Sequence, residues 1–272
     1  MDLDELVDGN GPFDFGEHRA REALVADQHD RNEGVRARFE RATFGRSQFI
    51  HGDTVSQSMA RSKSSKAWMQ RHVTDAFVQK AKAQGYRSRA AFKLEQIDAK
   101  DRLFRPGSRV VDLGAAPGGW SQLAAARVGA KGAVVAVDLL ETAPMSGVTV
   151  LRGDFRDIEV RKAIREALGN SPADVVLSDM LPNVSGIRSV DQANAAGLTK
   201  VAIDFCRAAL KPGGVFVVKV FQGEAYPDLL AAMKETFRTV TTRKPEASRD
   251  ESRETYLVGK GLRPAQTAQD SE

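Results

Sequence analysis

Short apolar runs alternate with segments of helical periodicity along the chain after residue 105. Runs of aliphatic and β-branched residues with little polar alternation are typical of parallel strands that are buried on both faces of a sheet. The runs that predict strands are 109–113, 133–137, 148–151, 174–177 and 215–221. The segments that predict helices are 119–127, 157–168, 189–210 and 227–237. Alternation of this kind predicts an α/β fold with helices on both faces of the sheet.

Polar signals define the ends of the predicted long helix and the edge of the sheet. Ser189–Gln192 reads as a capping box that opens the helix, and the Lys-Pro-Gly-Gly segment at 211–214 ends it. Two further strand candidates, 238–243 and 254–259, are joined by a polar turn and predict an antiparallel hairpin at one edge. The prediction is therefore a Rossmann-like, mostly parallel seven-stranded sheet with an antiparallel edge hairpin.

Composition excludes several classes of protein. The chain has 272 residues, a formal net charge of +4 and one cysteine, Cys206. A single thiol excludes a disulfide scaffold and a zinc site of paired thiolates, and the four histidines lack metal-ligand spacing, so we expect no metal. No apolar run approaches the roughly 18 residues of a membrane helix, and the acidic start is no signal peptide. We expect a cytoplasmic protein in a reducing compartment.

The charge is unevenly divided between two parts of the chain. Residues 1–58 have a net charge of −5 and no lysine, whereas residues 59–272 have a net charge of +9. We predict that residues 1–58 are a poorly ordered extension and that the functional protein begins near Met59; a regulatory tail is the alternative. Residues 59–105 are predicted to be a basic helical RNA-contacting segment that forms one unit with a catalytic domain at 106–261. Residues 262–272 are predicted to be a flexible tail.

Most of the excess positive charge lies between Arg61 and Lys93. Nine basic residues stand there against one acidic residue, with Trp68, Phe77, Tyr86 and Phe92 interleaved. Basic residues interleaved with aromatic ones indicate contacts with phosphates and bases, and Arg87 and Arg89 are the predicted phosphate contacts. The alternative is an amphipathic helix whose aromatic side chains pack inward.

The segment Val111-Asp-Leu-Gly-Ala-Ala-Pro-Gly-Gly-Trp120 follows the first predicted strand. Open α/β sheets bind ligands where a strand turns into its helix, and glycines there let the backbone approach the ligand. The spacing G-x-x-x-G-G differs from the dinucleotide fingerprint, and the segment lacks the Lys-Ser/Thr of a P-loop. A tight strand-to-helix turn would explain the glycines alone.

Acidic residues follow three successive strands. Asp138, Asp154 and Asp179 each come at the carboxyl end of a predicted strand, so all three face the ligand crevice. A carboxylate at Asp138 can take both hydroxyls of an adenosine ribose. A ribose-binding acid and an adenine-contacting acid, without a phosphate-binding lysine, favour S-adenosylmethionine over NAD or ATP.

Several motifs together resemble a known family. GAAPGGWSQ, SDMLPN, KPGGVFVVKVFQG and SRETY, preceded by RSRAAFKL, are similar to the FtsJ/RrmJ-type heat-shock ribosomal RNA methyltransferases (the RlmE family), over about 64–261. The resemblance implies S-adenosylmethionine-dependent 2′-O-methylation of a uridine ribose in 23S ribosomal RNA of the 50S subunit. It further implies a catalytic tetrad of Lys93, Asp179, Lys219 and Glu254. The cofactor contacts it implies are Gly118, Trp120, Asp138, Asp154 and Asp179.

Lys219 is the expected catalytic base because an idle lysine inside the apolar run 217–221 would be costly. Burial and Lys93 would lower the pKa of such an amine, whereas Asp179 and Glu254 would raise it. The alternative is a charged Lys219 that orients the hydroxyl and stabilises the developing oxyanion.

Other functions fit the sequence less well. The same chemistry on transfer RNA or a messenger cap would differ only in the RNA-facing surface. A non-catalytic assembly factor that binds RNA would have no use for Lys219 and Glu254 together, and a nicotinamide oxidoreductase lacks its fingerprint. We expect a monomer that binds 23S ribosomal RNA in the 50S subunit and no membrane.

Overall fold

The computed structural model describes residues 75–182, 185–249 and 252–264, all within one compact unit. The predictions for residues 1–58, for a start at Met59 and for Trp68 lie outside the described residues. The same is true of the first part of the basic segment and of most of the predicted tail.

Seven strands form one mixed sheet in the order β3-β2-β1-β4-β5-β7-β6. The first five strands in this order are parallel, and β7 runs antiparallel to both β5 and β6. The predicted fold class, including the antiparallel hairpin at one edge, is therefore confirmed. The strands are β1 Arg109–Leu113, β2 Ala133–Asp138, β3 Thr149–Arg152, β4 Ala173–Ser178, β5 Leu210–Phe221, β6 Phe237–Arg243 and β7 Glu254–Leu262.

Six helices are described, and five of them cover the two faces of the sheet. They are α1 Ala76–Ala83, α2 Ala90–Asp101, α3 Gly119–Val128, α4 Ile158–Ala167, α5 Arg188–Ala209 and α6 Tyr226–Thr236. The core on one face includes α4, α5 and α6, and the core on the other includes α2 and α3. Cys206 is buried in α5, as expected of a small core residue. None of the described helices is long and apolar enough to cross a membrane.

The start of α5 differs from the prediction. The helix begins at Arg188 with Ile187 as its N-cap residue, so Ser189 lies within the first turn and no side chain caps the helix. Asp191 instead accepts hydrogen bonds from the backbone N and Oγ of Ser185 (2.6 and 2.7 Å) and from the backbone N of Gly186. The predicted capping box is wrong because the helix begins before Ser189, which puts this residue inside the first turn instead of at the N-cap position.

The end of α5 agrees with the prediction to within one residue, but the strand after it begins earlier than predicted. The helix ends at Ala209, and the chain is extended from Leu210 onward, where β5 begins, five residues before the predicted strand at 215. Residues 211–214 form an irregularity in β5, since its partner strand advances only from Ala173 to Val175 over the same stretch. The Lys-Pro-Gly-Gly segment therefore follows the helix end, as predicted, and also forms the irregular first part of β5.

A buried ionic cluster fixes α2 against the edge of the sheet. Asp101, the last residue of α2, has a side chain that is only 3% exposed and accepts from Arg243 of β6 at 2.7 and 3.0 Å. Lys260 of β7 lies 3.1 Å from the same carboxylate and donates to the Asp101 carbonyl. This anchorage places α2, which carries Lys93, beside β7, which carries Glu254.

Candidate active site

The glycine turn, residues 114–118 between β1 and α3, lies very close to two other loops. Gly114 has a φ of 74°, and a Cβ there would lie 2.3 Å from Cγ of Met180, which follows β4. Gly118 has a φ of 107°, and a Cβ there would lie 2.6 Å from Sδ of Met145. Both positions therefore require glycine for conformation and for space. The turn ends at α3, whose first N–H groups have no intrahelical acceptor and face the end of the sheet.

Arg87 and Arg89 hold protein loops together, so the predicted phosphate contacts are corrected. The Arg87 guanidinium donates to the carbonyls of Ala143 (2.7 Å) and Pro144 (2.6 Å), and to that of Pro117 in the glycine turn (3.3 Å). Arg89 is paired with the carboxylate of Asp75 and donates to a loop carbonyl, and its side chain is only 15% exposed. Because these two guanidinium groups bind loop carbonyls and Asp75, they stabilise the loops around the site.

The described aromatic residues of the basic segment pack inward, as the alternative interpretation had it. Phe92 is 1% exposed, and its ring contacts Phe77 at 5.7 Å and Tyr86 at 5.4 Å between centroids. Lys80 lies over the same ring at 4.5 Å, and Lys82 is exposed. These rings therefore build a small core beneath the basic surface and are not available for base stacking.

Asp138 and Asp154 both lie at the carboxyl ends of their strands, as predicted. The Asp138 carboxylate accepts from the backbone N of Ala116 in the glycine turn (2.9 Å) and of Leu140 (2.8 Å). Asp154 accepts at both oxygens from Arg156. Burial alone would raise the pKa of Asp154, but the hydrogen bonds and charge of Arg156 outweigh it and lower the pKa. The Asp154 carboxylate is therefore fixed in its charged form.

Lys219 and Asp179 meet where β4 and β5 end. The Lys219 ammonium donates to the Asp179 carbonyl at 2.6 Å and lies 3.3 Å from Asp179 Oδ1. The Lys219 side chain is 9% exposed, so its charge is largely withdrawn from water and is balanced by this one residue. Two of the three N–H groups of the Lys219 ammonium face Asp179, so the third can donate to another oxygen.

Lys93 and Glu254 form the second ion pair of the cluster. Lys93 Nζ of α2 lies 2.5 Å from Glu254 Oε1 at the start of β7, and both side chains are nearly buried. Burial alone would raise the pKa of Glu254, but the Lys93 ammonium and the charge of Lys219 outweigh it and lower the pKa. The structure thus brings together all four predicted catalytic residues.

Tyr256 joins the two ion pairs and was missed in the sequence. Its hydroxyl donates to Asp179 Oδ1 at 2.9 Å, and its ring lies 5.9 Å from Lys93 Nζ. Burial raises the pKa of Tyr256 well above its ordinary value, and the carboxylates of Asp179 and Glu254 raise it further. The signal was strand periodicity, since Tyr256 lies two residues after Glu254 on β7 and pairs with Lys219 in the β5–β7 register.

Asp112 is a second buried acid that the sequence prediction left without a role. It lies in β1, 1% exposed, and its Oδ2 accepts from Ser121 Oγ of α3 at 2.6 Å. Its Oδ1 is buried and has no hydrogen-bond partner among the described residues. Burial raises the pKa of Asp112 to about 7, and the charges of Asp179 and Asp138 contribute to the rise, while Ser121 opposes it.

The Trp120 side chain is part of the core. It is 3% exposed, its Nε1 donates to the carbonyl of Ala90 at 2.7 Å, and its ring packs on Tyr256. The predicted cofactor contact of Trp120 therefore stays a prediction for its backbone N–H at the start of α3. Among the described residues, no group of three or more His, Cys, Asp or Glu side chains could hold a metal ion.

Comparison with known proteins identifies similar sequences over most of the chain. The FtsJ-like methyltransferase family model matches residues 86–262. A relative from Nitrosospira multiformis, named ribosomal RNA large subunit methyltransferase E, is 54% identical over 205 residues, which are 75% of this chain and all of that protein. A relative of the same name from Cellvibrio japonicus is 52% identical over 209 residues, which are 77% of this chain and 99% of that protein.

A solved structure is similar in fold. A ribosomal RNA methyltransferase from Plasmodium falciparum superimposes with a TM-score of 0.59 at 28% identity, and the match covers 65% of this chain and 98% of that chain.

Proposed function

Because the chain belongs to the FtsJ-like methyltransferase family, we propose that it methylates the 2′-oxygen of a uridine ribose in 23S ribosomal RNA with S-adenosylmethionine. The observation that carries the proposal is the joined cluster of Lys219, Asp179, Lys93 and Glu254 at the ligand-binding edge of the sheet. The relatives, which are named large-subunit ribosomal RNA methyltransferases, support the substrate class. We propose the assembling 50S subunit as the form of the substrate.

The glycine turn and its acids fit S-adenosylmethionine. Gly114 and Gly118 have positive φ values that favour glycine, so a ligand beside them would meet backbone groups. The start of α3 offers N–H groups for a carboxylate, and Asp138 offers acceptors for two ribose hydroxyls. Asp154 would accept from the adenine. S-adenosylmethionine, when bound, supplies a methyl group that is already activated on a sulfonium.

Lys219 is the residue that we propose to act on the ribose hydroxyl. Its ammonium is held by the carbonyl and carboxylate of Asp179, and the remaining N–H is free to meet the 2′-oxygen. As an ammonium, Lys219 would orient the hydroxyl and stabilise the negative charge that develops on it. An uncharged Lys219 that takes the proton as a general base is the second role consistent with this geometry.

Lys93 and Glu254 complete the polar wall of the cluster. The carboxylate fixes the Lys93 ammonium at 2.5 Å, and both lie close enough to Lys219 for its charge to lower the Glu254 pKa. We propose that Lys93 steers the ribose and that Glu254 holds Lys93 in place. A ribose aligned by two fixed cations reacts with little further loss of orientational freedom.

Methyl transfer with mapped products tests the proposal. The full chain is incubated with methyl-labelled S-adenosylmethionine and, separately, with naked 23S RNA, 50S particles and transfer RNA from cells that lack the enzyme. We expect label on one uridine 2′-oxygen of 23S RNA, with 50S particles as the better substrate. Label on transfer RNA alone, on a base, or on no RNA would contradict the proposal, and binding without label would indicate an assembly factor.

The variant Lys219→Ala provides the matched control. We expect it to lower methyl transfer by roughly a hundredfold or more because it removes the group that faces the developing charge. Binding of S-adenosylmethionine, measured by calorimetry, should stay near the wild-type value because Lys219 does not line the glycine turn. Near-normal turnover by this variant would contradict the assignment of Lys219.

A further inference from the structure

A groove is lined in part by Glu254 of the catalytic cluster. It has a volume of about 380 Å³, within the range of small-molecule sites, and every residue that lines it has a polar or charged side chain. Its walls come from Gln222, which follows β5, from β6 at Thr242 and from the start of β7. Glu254 lines the groove and also pairs with Lys93, so the groove opens at the catalytic cluster.

The groove carries excess positive charge. Arg253 is exposed and has no acceptor for its guanidinium among residues 75–182, 185–249 and 252–264. Lys244 donates to the carbonyls of Ser252 (2.5 Å) and Glu254 (2.8 Å), which leaves one N–H position for another acceptor. The charge of Glu254 is already balanced by Lys93. Among the described residues that line the groove, there are therefore two cations and one carboxylate, and the carboxylate is paired with Lys93.

We propose that this groove binds the phosphate and ribose of the RNA nucleotide that neighbours the methylated one. Arg253 and the remaining N–H of Lys244 meet the phosphate oxygens, and the amide of Gln222 meets a ribose hydroxyl. A ribose at Lys219 and a phosphate in the adjoining groove would belong to one continuous strand. This assignment rests on the proposed RNA substrate. It adds the path that the RNA strand takes beyond the methylated ribose.

The variant Arg253→Gln tests the groove, and Arg105→Gln is its matched control. Arg105 is exposed and precedes β1, at the edge of the sheet opposite the carboxyl end of β5. Both variants remove one guanidinium, so non-specific loss of positive charge affects them equally. Methyl transfer is measured against the concentration of the RNA substrate that the wild type labels, over a series of salt concentrations.

We expect Arg253→Gln to raise KM for RNA roughly three- to tenfold and to reduce the slope of log affinity against log salt by about one. The kcat and the affinity for S-adenosylmethionine should stay unchanged, and Arg105→Gln should match the wild type in all respects. Wild-type KM and salt slope in Arg253→Gln, or an equal loss in Arg105→Gln, would overturn the groove assignment. In either case the proposed function would stand, because the wild type still labels RNA.

Inorganic phosphate distinguishes a strand of RNA from a small anion as the occupant. We expect phosphate to inhibit the wild type no more than chloride does at equal ionic strength, because one free phosphate lacks the neighbouring ribose at Lys219. Stronger inhibition by phosphate that disappears in Arg253→Gln would show that the groove binds a free anion, and would overturn the RNA assignment. Absence of methyl transfer to any RNA by the wild type would remove both proposals together.

Discussion

The carboxylate of Asp179 contacts both Tyr256 and Lys219 and so links the residues of the candidate active site. It accepts the Tyr256 hydroxyl at 2.9 Å and lies 3.3 Å from Lys219 Nζ, while the backbone carbonyl of the same residue accepts from Lys219. Tyr256 is fully buried and packs on Trp120, so its hydroxyl is held by the core. The orientation of Lys219 thus depends on a residue that need not touch the substrate.

Tyr256→Phe removes this hydrogen bond and keeps the ring. We expect the free energy of unfolding to fall by roughly 1–2 kcal/mol, because a hydrogen bond to a charged group is lost. We expect kcat for methyl transfer to fall about tenfold, because Asp179 is then oriented by Lys219 alone. Tyr86→Phe is the control, since it removes the same atom from a ring that packs on Phe92 outside the cluster. Equal kcat in the two variants would contradict the positioning role.

Asp112 predicts an unusual dependence of stability on pH. Its folded pKa of about 7 lies above the unfolded value, so its contribution to stability is fully present below about pH 4 and is lost as pH rises through 7. In Asp112→Asn the side chain at this position does not titrate, so the variant lacks this contribution. Between pH 5 and pH 8, we therefore expect the wild type to lose roughly 2–3 kcal/mol of unfolding free energy relative to the variant.

Denaturant unfolding of both proteins at several pH values measures this difference. Because all other titrating groups are shared, they cancel when the two curves are subtracted. A difference that is constant with pH, or that changes in the opposite direction, would show that Asp112 is charged in the folded protein at neutral pH.

The sequence predicts the site residues better than it predicts their contacts. Lys93, Asp179, Lys219 and Glu254 lie in distinct motifs, and parallel topology brings strand ends together, so the cluster follows from the order of the elements. The partners of Arg87 depend instead on loop carbonyls about 56 residues away in sequence, which no local pattern shows. Asp112 was missed because it lies inside an apolar run, and Tyr256 was missed because the apolar residues that follow it made it look like core.

Helix bounds were predicted to within one residue, and most strand bounds almost as closely. Continuous apolar runs fixed β1 at both ends and β2, β3 and β4 to within one residue, because burial on both faces leaves little choice of composition. The capping box of α5 was wrong because the helix begins at Arg188, one residue before the predicted cap, and spacing alone does not fix a helix end to the residue. The start of β5 was missed by five residues because the Lys-Pro-Gly-Gly segment looks like a break, although Gly213 and Gly214 also suit an irregular strand.

At two glycines, one in a strand and one in a helix, we expect substitution by alanine to change the free energy of unfolding in opposite directions. At Gly259 of β7, a Cβ would lie 2.6 Å from the Phe237 ring and 2.8 Å from Cε of Met233, in the core behind α6. At Gly197 in α5, nothing lies within 4 Å of the added atom. We expect Gly259→Ala to lower the free energy of unfolding by roughly 1–3 kcal/mol through overpacking. Gly197→Ala should raise it by roughly 0.5–1 kcal/mol through helix propensity.

Thermal or denaturant unfolding of the two variants beside the wild type measures both effects. Because the same methyl group is added each time, the sign of the change reports only the surroundings of the glycine. Destabilisation by Gly197→Ala would mean that the exposed face of α5 is packed against something outside the described residues.

The first part of the chain differs from the rest both in net charge and in its similarity to relatives. The net charge of +4 combines −5 in residues 1–58 with +9 in residues 59–272. The family model begins at residue 86, and a relative that is matched over its whole length covers only 75% of this chain. Relatives of the same family therefore do without a counterpart to about a quarter of this sequence. We propose that the basic part alone, from Met59, forms the catalytic unit.

Removing residues 1–58 tests this division. We expect the protein that begins at Met59 to unfold at the same denaturant concentration as the full chain and to retain its kcat, because a relative matched over its whole length covers only 75% of this chain. Its affinity for RNA should rise at low salt and converge with that of the full chain at high salt, since a net charge of −5 is removed. A matched chain in which the acidic residues of 1–58 are changed to their amides separates charge from bulk. Loss of folding or of methyl transfer in the shortened protein would assign residues 1–58 to the catalytic unit itself.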